Sequence, residues 1–228
     1  VPRQVDHEER RRLIAGAVCG LADESGLEGV TLRDVAGRAG VSMGAVQRCF
    51  RTRDEMLLFT LGHIGERIGE RVRARLVRSP AQSAASALGH AATEVALLRE
   101  EHRAEARVWL AFVAQAAVSA PLAETLRTNY ASLEAVFTRL FAEAAGDDPA
   151  AVPPAPRPEP HPEPHPEPHP DPRREARTLL ALADGLTTHV LVGHLTAAQA
   201  QEVLHGHLAR LWGQGGGGGA GGGVPAGL

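Results

Sequence analysis

Apolar residues recur in this chain at intervals of three and four. Leu13, Ile14, Ala17, Val18, Leu21 and Ala22 make one stripe, and Leu57, Leu61, Ile64, Ile68, Val72 and Leu76 make another. That spacing puts side chains on one face of an α-helix. A half-buried strand needs strict alternation with β-branched enrichment, and no stretch shows it. The chain is therefore expected to be all-α. Start and stop signals divide the pattern into helices over roughly 8–24, 31–39, 42–50, 52–78, 82–100, 102–119, 121–145, 173–195 and 197–212. Gly26 and Gly40 close the first two helices, Thr31 and Ser42 are N-caps, Thr52-Arg53-Asp54-Glu55 is a capping box, and Pro80 ends the fourth helix.

Two segments stand outside this pattern. Between Pro153 and Pro172, 11 of 20 residues are proline, which excludes a helix because each proline lacks an N–H and clashes with the preceding turn. Within it, PEPHPEPHPEPHPDP sets His161, His165 and His169 four apart, each two residues after Glu159, Glu163 or Glu167. The pattern suggests a metal site. Polyproline II, at about 3.1 Å per residue, instead spaces the imidazoles roughly 12 Å apart in different directions, and zinc needs its nitrogens to converge at about 2.0–2.1 Å. The repeat reads as a stiff spacer, with weak opportunistic metal binding left open. The last residues, GQGGGGGAGGGVPAGL, read as a flexible tail.

Cys19 and Cys49 are the only cysteines, so a disulfide framework is excluded and a cytoplasmic location is expected. No run of 18 apolar residues suggests a membrane span, and VPRQVDHEERRR has no apolar core of a signal peptide. All 24 cationic residues are arginine. Residues 1–80 hold 14 Arg against 11 Asp and Glu, whereas residues 81–228 hold 10 against 16. The front of the chain is net basic, which suits a polyanionic partner.

Thr31 to Phe50 read as helix, tight turn, helix. Ala36 is small where two helices must approach, Gly40 sits at the turn, and Val41 and Val46 anchor the second helix on the first. This is the helix-turn-helix pattern, whose second helix enters the DNA major groove. TLRDVAGRAGVSMGAVQRCFRTRDEML resembles the N-terminal domain of the TetR family of bacterial repressors. The likeness lies in the T-L-x-x-V-A opening, the A-G-V-S turn, Gly44, the closing Phe50 and the T-R-x-E-M-L start of the next helix. EEHRAEARVWLAFVAQAAVSAPLAETLRTNYASLE and LLALADGLTTHVLVGHLTAAQAQEVLHGHLARL resemble the BetI-type C-terminal regulatory domain.

The resemblance implies a helix-turn-helix DNA-binding domain over 1–53 and a helical regulatory and dimerisation domain over 54–212, with the Pro/His-rich insertion at 149–172 and the tail at 213–228. It implies a homodimer on a near-palindromic operator in double-stranded DNA, released by a small-molecule effector. Met43, Gln47 and Arg48 are placed to face the groove. Arg48 can bind guanine bidentately, and Gln47 can read adenine or hold a phosphate. Gly44 permits close approach of backbone to DNA. Thr31, Ser42 and Thr52 are caps that can also offer hydroxyls to the phosphates. Arg51 adds basic charge, and Arg53, where the family usually has Lys, can hold a phosphate at a helix N-terminus. The chain departs from the family at Gln47, often Tyr there, and at Cys49, often His or Tyr.

For the effector, Trp109, Phe112, Tyr130, Phe137 and Phe141 lie on helices that the family uses to wall its pocket, though aromatics at helical spacing equally make ordinary core. Asp184 interrupts an apolar helix and His189 follows it; both can orient a ligand, and a hydrogen-bonded structural Asp184 is the alternative. The BetI prototype answers to choline, which is not carried over to this chain. Gly185 and Gly193 are expected to let the last two helices pack closely on their symmetry mates in a dimer bundle. Gly62, Gly65 and Gly69 in the fourth helix either let it bend or let a neighbour approach. A metal- or redox-sensing regulator using the repeat or Cys49 is the competing reading, although both cysteines read as packing residues. No nucleophile–base pair, phosphate loop or metal motif points to an enzyme or to a cofactor.

Overall fold

The computed structural model describes residues 2–77, 83–146 and 171–213, with side chains between residues 7 and 211. The PEPH repeat and the tail from residue 214 lie outside the described residues. Those described form nine α-helices, one 3-10 turn and no strand: α1 (Pro2–Ser25), α2 (Leu32–Ala39), α3 (Met43–Cys49), α4 (Arg53–Val77), α5 (Ala84–Val95), the turn Glu100–His102, α6 (Arg103–Ala116), α7 (Ala120–Ala145), α8 (Pro172–Leu191) and α9 (Ala197–Gly213). No helix among them is long and apolar enough to cross a membrane.

The local signals work as the sequence suggests. Thr31 and Ser42 accept the Asp34 and Ala45 N–H groups at 3.2 Å. Thr52 accepts the Glu55 N–H at 3.1 Å. Each satisfies one of the orphan donors of a helix start.

Two expected helices end early. α5 stops at Val95 rather than near residue 100, because Leu97 takes φ 49°. The bend sends Leu97 and its neighbour Leu98, each 3% exposed, into two different cores, which a continuous helix could not do for adjacent residues. The Thr187 hydroxyl fixes the bend by donating to the Ala96 carbonyl at 2.6 Å. α8 stops at Leu191, not Leu195. There Gly193 has φ 75°, the His194 N–H bonds to the His189 carbonyl at 2.9 Å, and the Gly193 N–H bonds to that of Val190 at 3.2 Å. This double closure is the Schellman motif. Gly193 thus serves as a left-handed cap at the end of α8.

Packing does not divide at residue 53. One core joins Ile14, Val18, Val35, Val46 and Phe50 to Met56, Leu61 and Ile64 of α4 and to Trp109 and Phe112 of α6. A second joins Val72 of α4 to Leu88, Phe137, Leu179, Leu186 and Leu204 of α5, α7, α8 and α9. α4 therefore spans both cores. Side chains such as Phe50, Leu61 and Phe137, all fully buried, each contribute about 1.5–3 kcal/mol on leaving water.

Candidate nucleic-acid interface and regulatory site

The turn between α2 and α3 sets the angle at which α3 is presented. Gly40 takes φ 65°, a backbone region that costs an L side chain strain. Its N–H bonds to the Gly37 carbonyl at 3.3 Å, and the Val41 N–H bonds to the Ala36 carbonyl at 3.1 Å. α3 then buries Ala45, Val46 and Cys49, and Phe50 ends it in the core.

The opposite face of α3 is left to solvent. Met43 is 38% exposed, Gln47 and Arg48 are exposed, and the Arg48 side chain has no hydrogen bond or ion pair among the described residues. A Cβ on Gly44 would meet only Arg48 Nη1, at 3.7 Å. Nothing inside the protein therefore requires glycine there. Arg51 and Thr52 are exposed at the start of α4. The Arg51 backbone N–H is taken by Glu55 at 2.9 Å. Met43, Gln47, Arg48, Arg51 and Thr52 are thus exposed, as are the caps Thr31 and Ser42, and Gly44 is half-buried.

Arg53 sits differently. Its Nε donates to the Val30 carbonyl at 2.8 Å and its Nη2 to that of Leu27. The guanidinium is half-buried and ties down the α1–α2 connection instead of standing free at the helix start. Another arginine, Arg11, braces the same region. Arg11 of α1 lies over the Phe59 and Phe50 rings at 4.3 and 4.7 Å, with Glu55 at 3.7 Å. This cation–π stack holds the end of α3 to α1 and α4. Arg11 sits in an unbroken run of arginines, so nothing in the sequence marked it.

Three of the expected effector residues converge. Asp184 of α8 accepts the Trp109 indole N–H of α6 at 3.2 Å and the Tyr130 hydroxyl of α7. The two rings meet edge-on, with centroids 5.9 Å apart. Burial pushes the Asp184 carboxyl above its ordinary pKa of 3.8, against the two hydrogen bonds that lower it. Burial and the neighbouring carboxylate push the Tyr130 hydroxyl up as well. No cation pairs with Asp184 among the described residues. The other expected residues do not join them. Phe112 and Phe137 are fully buried in separate cores, Phe141 is buried, and His189 is exposed beside His194, with ring centroids 4.9 Å apart.

Both cysteines are free. Cys49 is 5% exposed, and burial pushes the Cys19 thiol up to about 11, so Cys19 is not thiolate at neutral pH. Among the described residues no group of three or more His, Cys, Asp or Glu side chains could hold a metal ion.

A charged network on α4 was not legible in the sequence, because its members come from three elements. Glu94, 5% exposed, lies 3.2 Å from Arg99 and 3.8 Å from Arg71, and Arg71 also pairs with Glu105 at 3.1 Å. Burial, then the Arg71 charge, lowers the pKa of the adjacent His102 below its ordinary 6.5. Elsewhere, Asp23 of α1 takes Arg107 of α6 through both oxygens, at 2.5 and 3.2 Å. That contact bolts the helix-turn-helix part to the rest of the molecule and lowers the Asp23 pKa.

Comparison with known proteins agrees with this geometry. The family model described as BetI-type transcriptional repressor, C-terminal, matches residues 84–158 and 165–213, more than half of the chain. The HTH-type transcriptional regulator PksA of Bacillus subtilis is 36% identical over 118 residues, which cover 51% of this chain and 56% of PksA; the chain spans about half the length of that relative. The HTH-type transcriptional regulator BetI of Paraburkholderia phymatum is 27% identical over 82% of this chain and 83% of its own. Among solved structures, a transcriptional regulator from Rhodococcus sp. Rha1 superposes with a TM-score of 0.71 at 28% identity, covering 89% of this chain and 96% of that one.

Proposed function

The chain belongs to the TetR family of HTH-type transcriptional regulators, with a BetI-type C-terminal domain, and we propose that it is a homodimeric repressor that leaves a near-palindromic operator when a small-molecule effector binds. The observation that carries this reading is the outer face of α3. Met43, Gln47 and Arg48 are exposed there, Arg48 has no partner within the described residues, and Gly44 leaves the backbone bare. In this reading Arg48 and Gln47 contact base edges, and Met43 and Gly44 lie against the groove. Arg51, the Thr52 hydroxyl and the start of α4 hold phosphates, as do Thr31 and Ser42. Arg53 acts by fixing the loop behind them.

Dimerisation runs through α8 and α9. Support comes from Val192 and Val203, 72% and 44% exposed, and from open space around Gly185 and Gly206. Two-fold symmetry then sets the two α3 helices about 34–36 Å apart, or a multiple of that distance. The effector acts near Asp184, where a carboxylate without a cation lies between the Trp109 and Tyr130 rings. α4 carries the change, since it belongs to both cores.

The test is selection of genomic fragments by the purified protein, together with its mass by sedimentation. One enriched inverted repeat bound by a particle of twice the 24.0 kDa chain supports the proposal. A monomer at micromolar concentration that enriches no fragment contradicts it.

A further inference from the structure

We propose that the cavity between the C-terminal half of α4, the end of α5 and the 3-10 turn binds an oxyanion, that is, a small molecule presenting a carboxylate or phosphate group. The cavity measures about 390 Å³; Arg67, Arg71, Arg75 and Arg99 line it together with Glu70, Glu94 and Glu101, and His102 closes the lining. Arg67, Arg71 and Arg75 are four apart and so share one face of α4.

What marks the site is a set of N–H groups cut off from both solvent and acceptors. Arg71 uses Nη1 on Glu105 at 3.1 Å, yet its Nε and Nη2 are shut away from solvent with no hydrogen-bond acceptor, as is Nε of Arg75. The nearest carboxylate oxygen to Arg71 Nε, on Glu94, is 3.8 Å away, beyond hydrogen-bond reach. Nε and Nη2 form the side of a guanidinium that takes a carboxylate or phosphate through two parallel bonds. His102 is 8% exposed, and its Nδ1 is also buried without a partner.

Four arginines stand against three carboxylates in the lining. Arg71 and Arg99 are paired to Glu94, Glu105 and Glu101. Arg67 and Arg75 have no carboxylate within ion-pair distance among the described residues. Ala74 is the one apolar side chain in the lining, so the cavity suits a small polar anion and not a greasy ligand. That its occupation reaches the helix-turn-helix through α4 rests on the regulator reading; the binding itself does not.

The experiment uses inorganic phosphate as the probe, titrated into the full chain against chloride at matched ionic strength and followed by calorimetry. The expected result is one saturable site per chain, weakened at least tenfold in Arg75→Gln and unchanged in Arg139→Gln on the exposed side of α7. In the unaltered chain the Nε–Hε magnetic-resonance signals of Arg71 and Arg75 should shift with the same midpoint, which needs no variant to fold. No saturable binding by the folded chain overturns the site. So does binding retained in full by Arg75→Gln. The DNA selection is run without phosphate: a chain that binds phosphate but selects no DNA sinks the regulator reading alone, and the reverse outcome sinks the oxyanion site alone.

Discussion

At Asp184 a single carboxylate holds two helices through their aromatic residues, and its protonation is coupled to stability. Burial raises its pKa above the ordinary 3.8. The folded state therefore binds this proton more tightly than the unfolded chain does. The stability so gained is complete below about pH 3.8 and is lost as pH rises through the folded value. Asp184→Asn keeps the shape and both hydrogen bonds, since its oxygen can accept from Trp109 and its amide can donate to the Tyr130 oxygen. At pH 7 this variant should melt no lower than the parent, and the parent should gain on it as pH falls. Asp184→Leu strands two buried donors, at about 1–3 kcal/mol each, and should lower Tm at every pH. If both variants lose equally at pH 7, the carboxylate is compensated in some other way. Sequence showed Asp184 as a polar break in an apolar stripe, and Trp109 and Tyr130 as aromatics on neighbouring helices. It did not show that they satisfy one another, because their positions lie 54 and 75 residues from Asp184. For Arg53, the helix-start position suggested a phosphate, and only the folded α1–α2 connection revealed the Leu27 and Val30 carbonyls that occupy it.

Among helices, α4 shows how one residue type serves two ends. A Cβ on Gly65 would stand 2.5 Å from Asn129 Cγ of α7, whereas one on Gly62 would meet nothing within 4 Å. Gly65 is therefore a packing glycine, and Asn129 uses the gap to reach the Leu61 carbonyl at 3.4 Å. Gly62→Ala should raise stability by about 1 kcal/mol, the usual helix-interior gain. Gly65→Ala should lower it by about 1–3 kcal/mol through overpacking. Adding Asn129→Ala should recover most of that loss, as chemical denaturation of the three chains would show. If Gly62→Ala also blunts effector release of DNA, that glycine supplies flexibility; unchanged release assigns it no such role. Helix existence was legible throughout, because caps and periodicity are local. The early ends of α5 and α8 were not, because they depend on where Leu97, Leu98 and the Thr187 hydroxyl find partners across the molecule.

For the whole molecule, the sequence suggested a boundary at residue 53, but the apolar contacts run through it into α4 and α6. The Asp23–Arg107 pair adds a polar bolt between α1 and α6. Asp23→Asn should leave operator sequence preference intact and make effector release less steep, read from DNA-binding curves at several effector concentrations. The PEPH repeat enters the sensing chain nowhere in this account. Replacing residues 153–170 by a short Gly/Ser linker should leave operator affinity unchanged, and micromolar zinc should release neither form from DNA. Zinc-dependent release that vanishes with the repeat would restore the metal-sensing alternative. Whether the bare face of α3 reads DNA is decided by comparing parent and Arg48→Ala chains on the enriched duplex and on a scrambled duplex at two salt concentrations. Arg48→Ala should lose about 1–3 kcal/mol on the enriched duplex, lose far less on the scrambled one, and keep a steep salt dependence on both. Equal affinity of parent and variant for both duplexes would contradict DNA reading by that face.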